Sequence, residues 1–191
     1  MIKPRKISPV LLAGFAVVLK LGSAFCADKP AVVFEGKETL RRPEGYRQWV
    51  FVGSSMGLRY NQEPEKPAAN KSDRFNNVYI NPAAFHEFTR SGKFPEGTVF
   101  ILEITSAEAK AEPGLQGSYQ KDFTALEAAV KDSKRFPDGW AYFSFDDGKG
   151  KRKDKAAPFP RSSCFECHHQ KAATDHVFTQ FYPVLRDLPR K

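Results

Sequence analysis

Short runs of β-branched and aromatic residues recur along the middle of the chain, separated by Gly, Pro, Asn and Asp. Such runs are typical of strands joined by turns. They predict strands over residues 46–53, 76–81, 98–105, 124–132 and 140–147. The fourth run, TALEAAVKD, contains enough Ala, Leu and Glu for a helix, but we interpret it as a strand. The pattern therefore predicts a mainly antiparallel sheet.

Two other segments have the apolar spacing of amphipathic helices. The first, NPAAFHEFTRSG (81–92), has Asn81 as a candidate N-cap, Pro82 in the first turn and Gly92 as a C-terminal stop. The second, DHVFTQFYPVL (175–185), places apolar residues at helical spacing despite an internal proline. The predicted fold class is mainly β (α+β), an antiparallel sheet with peripheral helices and a C-terminal helical segment.

The first 26 residues have the pattern of a secretory signal peptide. A basic start is followed by the apolar run VLLAGFAVVL and then by small residues. The run is too short to span a bilayer, and no second apolar segment of the required length follows. We predict cleavage somewhere within residues 24–27, export to the periplasm, and a single domain over residues 27–191.

The formal net charge of the chain is +8, but part of it lies in the predicted signal peptide. Residues 27–191 contain 26 Lys and Arg against 22 Asp and Glu, which leaves a net charge of +4. Because the basic residues do not alternate with stacking aromatics, we exclude nucleic acid as a partner. A basic loop before the C-terminal motif could steer an acidic redox partner protein, although a merely solvated loop has the same composition. Its residues are Lys149, Lys151, Arg152, Lys153 and Lys155.

The stretch SSCFECHHQK (162–171) carries two cysteines separated by two residues and followed at once by a histidine. Cys-x-x-Cys-His is the attachment motif of c-type haem, in which both cysteines form thioether bonds and the histidine is an axial iron ligand. The remaining cysteine of the chain, Cys26, lies in the predicted signal region. We predict that Cys164, Cys167 and His168 hold one covalently attached haem c, with His168 bound to the iron.

Other uses of the cysteine pair are weaker. A structural zinc site needs four ligands, and the fourth would have to be His169, His176 or a distant carboxylate. A thioredoxin-type redox pair requires a parallel α/β pattern around it, which the sequence lacks. A disulfide between the two cysteines would close a very short loop and remove little chain entropy.

A second iron ligand is hard to find in the sequence. Met56 follows a strand-like run, but a lone methionine is more often a core residue. His86 lies to one side of the apolar stripe of its helix and is expected to be solvated. His169 and His176 flank the motif too closely to reach the opposite side of a haem. We predict a five-coordinate iron with an open site, with a six-coordinate electron carrier ligated by Met56 as an alternative.

The chain resembles the cytochrome P-460 family, which includes the cytochromes c′-beta. The segments that carry the resemblance are YRQWVFVG, VYINPAAFHEFTRSGKFPEGTVFILEI, LEAAVKDSKRFPDGWAYFSF and CFECHHQKAATDHVFTQFYPVL. They extend from Tyr46 to Leu185. The resemblance implies a mainly antiparallel β fold with peripheral helices, a homodimer, and a five-coordinate haem c with His168 as the proximal ligand.

The family divides at one strand position. In its hydroxylamine-oxidising members a lysine on this strand forms an extra covalent bond to the haem macrocycle. The corresponding residue in this chain is Leu102, within the segment TVFILE (98–103). A leucine side chain has no nitrogen to form that bond. The chain is therefore most similar to the cytochrome c′-beta branch, in which an aromatic cap shields an iron that binds diatomic gases, nitric oxide especially.

Alternation along this strand indicates which residues face the iron. Thr98 and Phe100 share the face of Leu102, whereas Glu103 points away. We therefore expect an apolar distal wall, with Phe100 as the first candidate for the aromatic cap and Phe75 as the second. The predicted function is gas binding for capture, sensing or redox. A hydroxylamine-oxidising enzyme is the first alternative, and the electron carrier described above is the second.

Overall fold

The structure is a computed structural model, which describes residues 30–58, 73–149 and 151–188. The predicted signal peptide, residues 1–26, lies outside the described residues. Within these ranges the fold is mainly β, as predicted, with two antiparallel sheets and three short α-helices. None of the helices in these ranges combines the length and apolarity needed to cross a membrane.

The elements follow one another in a simple order. The strands are β1 (Phe34–Glu35), β2 (Thr39–Arg41), β3 (Val50–Met56), β4 (Arg74–Ile80), β5 (Val99–Glu112), β6 (Leu115–Lys131), β7 (Trp140–Ser144) and β8 (Lys155–Ala156). The helices are α1 (Pro82–Ser91), α2 (Phe165–Lys171) and α3 (Pro183–Arg186), with 3₁₀ turns at Tyr46–Gln48 and Thr179–Phe181. Strands β3 to β7 form a five-stranded meander, and β1, β2 and β8 form a small second sheet.

The fourth predicted strand, 124–132, is confirmed as the second half of β6. Its buried residues Leu126, Ala128 and Val130 recur with a period of two, which is the spacing of a strand. Pairing with β5 on one side and β7 on the other overrides the helical tendency of its Ala and Leu residues. The first predicted strand starts later than expected, because a 3₁₀ turn occupies its first residues.

Strands β5 and β6 continue well beyond their neighbours. Strand β4 pairs with β5 only as far as Ser106, and β7 pairs with β6 only from Glu127. The remaining residues, about 107–121, form a two-stranded ribbon closed by the turn Pro113-Gly114. The sequence did not indicate this ribbon, because its polar residues lack the hydrophobic alternation of a half-buried strand.

The two faces of the five-stranded sheet carry separate hydrophobic cores. One core lies under the small sheet and includes Val99 and Ile101 of β5. The other core includes Phe100, with Leu102 packed against it, and is covered by α1, α2 and α3. Strand alternation thus divides β5 between the two cores as predicted. Helix α3 lies close to β3 at Gly53, where a Cβ atom would be in ordinary van der Waals contact with Pro183 Cδ, at 3.4 Å.

Helix α1 matches its predicted span. Gly92 ends the helix in the left-handed conformation, with φ of 70°, and its N–H donates to the carbonyl of Phe88 at 2.8 Å. Asn81 occupies the N-cap position, but its side chain makes no capping hydrogen bond. Its Oδ1 instead accepts from the backbone N–H of Val99 at 2.8 Å, which fixes the start of β5.

The prediction of one continuous helix over residues 175–185 was wrong. Asp175 and His176 adopt left-handed φ angles of 44° and 62°, which no right-handed helix contains. A 3₁₀ turn, Thr179–Phe181, follows, and Pro183 then starts the short helix α3. The apolar spacing indicated burial correctly for Phe178 and Leu185, but Phe181 is 44% exposed.

Candidate haem site

Helix α2 carries the cysteine motif at the edge of the second core. Cys164 is the N-cap residue of α2, and Cys167 and His168 lie within the helix. Phe165 is buried in the core and anchors the helix, with the guanidinium of Arg161 4.6 Å from its ring centre. This anchoring leaves Cys164 half-buried and Cys167 exposed, and both thiols are free.

The motif opens onto a cavity of about 290 Å³ between α2 and the sheet. Five of the predicted site residues line this cavity, namely Cys164, Cys167, His168, Phe100 and Leu102. The other lining residues are Val78, Glu127, Ala128, Ala129, Tyr142, Phe143, Phe159, Ser163 and Tyr182. The sheet contributes a largely apolar side of the cavity, and the chain before and within α2 contributes the thiols and the imidazole.

Phe75, the second candidate for the aromatic cap, does not line the cavity. It alternates along β4 with Arg74, Asn76 and Val78, and Val78 is the residue of this strand that reaches the cavity. Phe75 therefore lies on the opposite face of the sheet. Among the predicted distal residues, the structure brings Phe100 and Leu102 together with the motif and leaves Phe75 apart.

A hydrogen bond and two ring contacts hold the imidazole of His168. Its Nδ1 lies 2.8 Å from the carbonyl oxygen of His176 and donates its proton there. A proton on Nδ1 leaves the lone pair on Nε2, which is the tautomer that binds iron. The rings of Tyr142 and Phe178 pack against the imidazole, with ring centres 4.4 and 4.5 Å away. The side chain is thus held in a conformation suited to a metal ligand.

Burial also shifts the pKa values of two residues of the motif, His168 and Cys164. Desolvation lowers the pKa of His168 to about 4, although its hydrogen bond to His176 opposes the shift. The imidazole is therefore neutral at neutral pH. Desolvation raises the pKa of Cys164 to about 11, with the nearby Glu127 carboxylate and Cys167 adding to the shift. A thiol that stays protonated at neutral pH is a weak nucleophile, which opposes a redox role for the pair.

Glu127 is a cavity residue that the sequence interpretation missed. It lies on β6 directly opposite Leu102 of β5. Burial raises the pKa of its carboxyl, Arg74 lowers it, and Asp146 raises it further. The expected apolar wall therefore contains a carboxyl group, and Tyr142 and Tyr182 add further polar side chains to the cavity. The only signal in the sequence was alternation along the strand, which places Glu127 on the opposite face from Leu126 and Ala128. Alternation does not show that this face borders the cavity, because that requires the register of β6 against β5.

Glu127 is expected to make stability depend on pH. Its pKa is raised in the folded state, so its stabilising contribution is present below the pKa of an ordinary glutamate and is lost as pH rises through the raised value. Glu127→Gln does not titrate. Its unfolding free energy should therefore exceed that of the unmodified protein at about pH 8, with the difference disappearing near about pH 4. Urea unfolding at both pH values measures this.

Glu96 is a matched control, because its pKa is shifted in the opposite direction from that of Glu127. Hydrogen bonds from the Ser133 hydroxyl and backbone lower the pKa of Glu96, so its contribution is present above the ordinary glutamate pKa and is lost as pH falls. Glu96→Gln should be less stable than the unmodified protein at neutral pH and equal to it in acid. If Glu127→Gln behaved in the same way as Glu96→Gln, Glu127 would not be a desolvated carboxyl.

The structure separates the remaining candidate residues from the cavity. Met56 is 53% exposed at the end of β3, and His86 is exposed on α1, so neither lines the cavity. Glu103 lies on the opposite face of the sheet, as predicted, where it accepts hydrogen bonds from Tyr46 and Arg47. Arg152 of the basic loop packs over the ring of Phe123, with its guanidinium carbon 3.4 Å from the ring centre.

The structure also bears on the zinc alternative. Within the described residues, no group of three or more His, Cys, Asp and Glu side chains is placed to hold a metal ion. The imidazoles of His169 and His176 stack on each other, with ring centres 5.2 Å apart. The ring of Phe165 contacts both of them, at 5.7 and 4.9 Å. His169 is an exposed residue of α2, and the half-buried His176 packs beside it against Phe165.

The fold and the site together define the class of the protein: a β-rich cytochrome, whose Cys-x-x-Cys-His motif opens onto a cavity suited to haem. The family profile described as Cytochrome P460 matches residues 43–179, or 137 of the 191 residues. The chain belongs to the cytochrome P-460 family, and its cofactor is accordingly haem. A comparison with curated proteins found no match.

The residues present fit this cofactor. Two free thiols three positions apart on one helix end and an imidazole with its Nε2 lone pair available in the same cavity are the donor set of haem c. The apolar lining suits the macrocycle. Haem bound here supplies an iron centre that binds small ligands and changes oxidation state. In this cavity His168 would be the residue that supplies the proximal ligand, and Phe100 and Leu102 would be the apolar side chains that exclude water.

Proposed function

We propose that this protein is a periplasmic cytochrome with one haem c, attached through Cys164 and Cys167, whose five-coordinate iron binds a diatomic gas, nitric oxide above all. His168 is the axial ligand from the protein. The observation that carries the proposal is the apolar side chain of Leu102 in the cavity, at the position where the hydroxylamine-oxidising relatives carry a lysine. The predicted homodimer, redox partner protein and signal cleavage stay predictions.

The chemistry of the cavity supports gas binding. Val78, Phe100, Leu102 and Ala129 give it a largely apolar sheet side. Bound oxygen gains stability from a hydrogen-bond donor that neutralises its partial charge, whereas nitric oxide binds haem iron strongly without one. An apolar wall also disfavours anions and water as iron ligands. The apolar side chains around Phe100 therefore favour nitric oxide over oxygen, while Glu127, Tyr142 and Tyr182 are polar side chains elsewhere in the cavity.

The aromatic packing around Phe100 supports its role as a cap. The ring of Phe94 stacks on Phe88 at 4.1 Å and meets the ring of Phe100 edge-on at 5.4 Å. The ring of Tyr182 lies 6.5 Å from Phe100 on the other side. Because neighbours hold the ring from several sides, Phe100 is a rigid part of the cavity. Ligand entry then depends on a fixed aromatic barrier.

The side chains that line the cavity support an iron with an open coordination position. Among the described residues that line the cavity there is no methionine, and His168 is the only histidine. Met56 and His86, the other candidates from the sequence, lie away from it. This distribution disfavours the electron carrier with Met56 as the sixth ligand.

Oxidation of hydroxylamine is a second candidate, favoured by Glu127. That reaction releases protons, and a buried carboxyl with a raised pKa next to the reacting centre is suited to accept them. Leu102 weighs against this candidate, because it cannot form the covalent bond that is associated with hydroxylamine oxidation in the family. We therefore place gas binding first.

Absorption spectroscopy of the purified exported protein tests the proposal. We expect an ordinary high-spin ferrous haem c spectrum after reduction with dithionite, followed by stoichiometric binding of nitric oxide. A strongly red-shifted ferrous band, together with turnover of hydroxylamine in the presence of an electron acceptor, would establish the enzyme instead. A low-spin spectrum that nitric oxide leaves unchanged would indicate a six-coordinate electron carrier and overturn both.

A further inference from the structure

The carbonyl group that orients His168 belongs to a strained turn. Residues 174–177 form a tight turn, in which Val177 N–H donates to the Thr174 carbonyl at 2.7 Å. Its two central residues, Asp175 and His176, both have left-handed φ angles, which are unfavourable for residues with a Cβ atom. The His176 carbonyl oxygen points at Nδ1 of His168 from this turn. The turn therefore needs support from elsewhere in the fold.

Lys131 and Trp140, two residues of the sheet, stabilise the turn through hydrogen bonds to the side chain of Asp175. Its Oδ2 lies 2.7 Å from Lys131 Nζ, and its Oδ1 accepts from Trp140 Nε1 at 3.2 Å. Lys131 and Trp140 are directly opposite each other on β6 and β7, so the sheet fixes both donors relative to one another. Both are sheltered, with the Lys131 side chain 18% exposed and Trp140 3% exposed.

Lys131 also ties the turn to the loop after α1. Its Nζ donates to the carbonyl of Phe94 at 2.8 Å as well as to Asp175. Phe94 is the ring that packs edge-on against Phe100. One ammonium group thus holds both the turn behind the proximal histidine and the loop behind the aromatic cap.

We propose that Asp175, clamped by Lys131 and Trp140, is a positioning residue that sets the strength of the hydrogen bond from His168 to the His176 carbonyl. A stronger hydrogen bond to Nδ1 makes the imidazole a more basic iron ligand, which stabilises the oxidised iron and lowers the reduction potential. Asp175 touches neither haem nor ligand. This inference rests on the proposed function, because it assigns His168 to the iron.

Four variants distinguish the effect of losing the contacts of Asp175 from the effect of changing the backbone preference at residue 175. Asp175→Ala removes the carboxylate and disfavours the left-handed backbone, whereas Asp175→Gly removes the carboxylate but tolerates that backbone. Asp175→Asn tolerates the backbone and keeps an acceptor for Trp140 but loses the charge. Lys131→Met removes the ammonium half of the clamp, together with its hydrogen bond to the Phe94 carbonyl, and leaves the residues of the turn unchanged. The control is Asp187→Asn, which removes an exposed carboxylate that pairs with Arg186 on α3.

Resonance Raman spectroscopy and potentiometry of the haem-loaded variants provide the first readout. In Asp175→Ala and Lys131→Met we expect a lower iron–histidine stretching frequency and a higher reduction potential, at unchanged haem content. Asp175→Gly and Asp175→Asn should lie between these variants and the unmodified protein, and Asp187→Asn should match the unmodified protein. If both quantities stay unchanged in Asp175→Ala and Lys131→Met, the residue is merely structural and the proposal fails.

Hydrogen exchange provides a second readout that does not depend on haem. The Val177 amide, which closes the turn, should exchange several-fold faster in Asp175→Ala and Lys131→Met than in the unmodified protein or in Asp187→Asn. If the purified protein carried no haem, the proposed function would fail, but this measurement would still decide whether the clamp holds the turn. Unchanged exchange of Val177 would overturn the clamp itself.

Discussion

Replacement of Cys164 and Cys167 together by alanine is expected to abolish covalent haem attachment completely. Each thioether bond requires one of these sulfur atoms, and both line the cavity next to His168. The mass of the denatured polypeptide measures this directly, since only covalently attached haem survives denaturation. The unmodified protein should carry the mass of one haem, and the double variant none.

Two further variants make this result decisive. Ser163→Ala alters a neighbouring residue of the same cavity while keeping both sulfur atoms, so it should retain haem fully. His168→Ala should retain at least one thioether bond but lose the axial nitrogen ligand, which changes the spectrum rather than the mass. A haem mass increment that persists in the denatured double variant would show that attachment uses other residues, and the proposed site would be wrong.

Phe100→Ala is expected to cost about 3–5 kcal/mol of stability and to speed ligand binding to the iron. Phe100 is 6% exposed and packs against Phe94, Trp140 and Tyr182, so its loss leaves a cavity that these neighbours cannot fill. The same loss would remove the aromatic barrier that we propose for the iron site. Urea unfolding measures the first effect, and stopped-flow mixing with nitric oxide measures the second.

Phe136→Ala separates the two effects. Phe136 is equally buried, at 6% exposed, but belongs to the core under the small sheet and does not line the cavity. It should lose a similar amount of stability and keep the original association rate. Equal rates in the unmodified protein and Phe100→Ala would assign Phe100 to core packing alone.

The sequence predicted those site residues that can be identified from a single segment of the chain. The haem motif needs only adjacent residues, and Phe100 and Leu102 share a face through alternation along a single strand. Phe75 and Glu127 required the register between neighbouring strands, which pairs Leu102 with Val78 and with Glu127. No pattern within one strand reveals that pairing.

The C-terminal segment was misread for a related reason. Its apolar spacing suits a helix, but Asp175 forms its ion pair with Lys131, which is 44 residues earlier in the chain. That long-range contact, together with the hydrogen bond from Trp140, stabilises a left-handed turn that local propensity disfavours. Tertiary contacts therefore decided the backbone where local sequence preferences pointed elsewhere.

The meander of β3 to β7 has a consequence for how the protein is made. Every strand of this sheet pairs with its neighbour in the sequence, so no pairing within it joins strands that are distant in chain order. All the strands of this sheet precede the cysteine motif in the chain. We therefore expect the sheet to be able to form before the C-terminal segment packs against it.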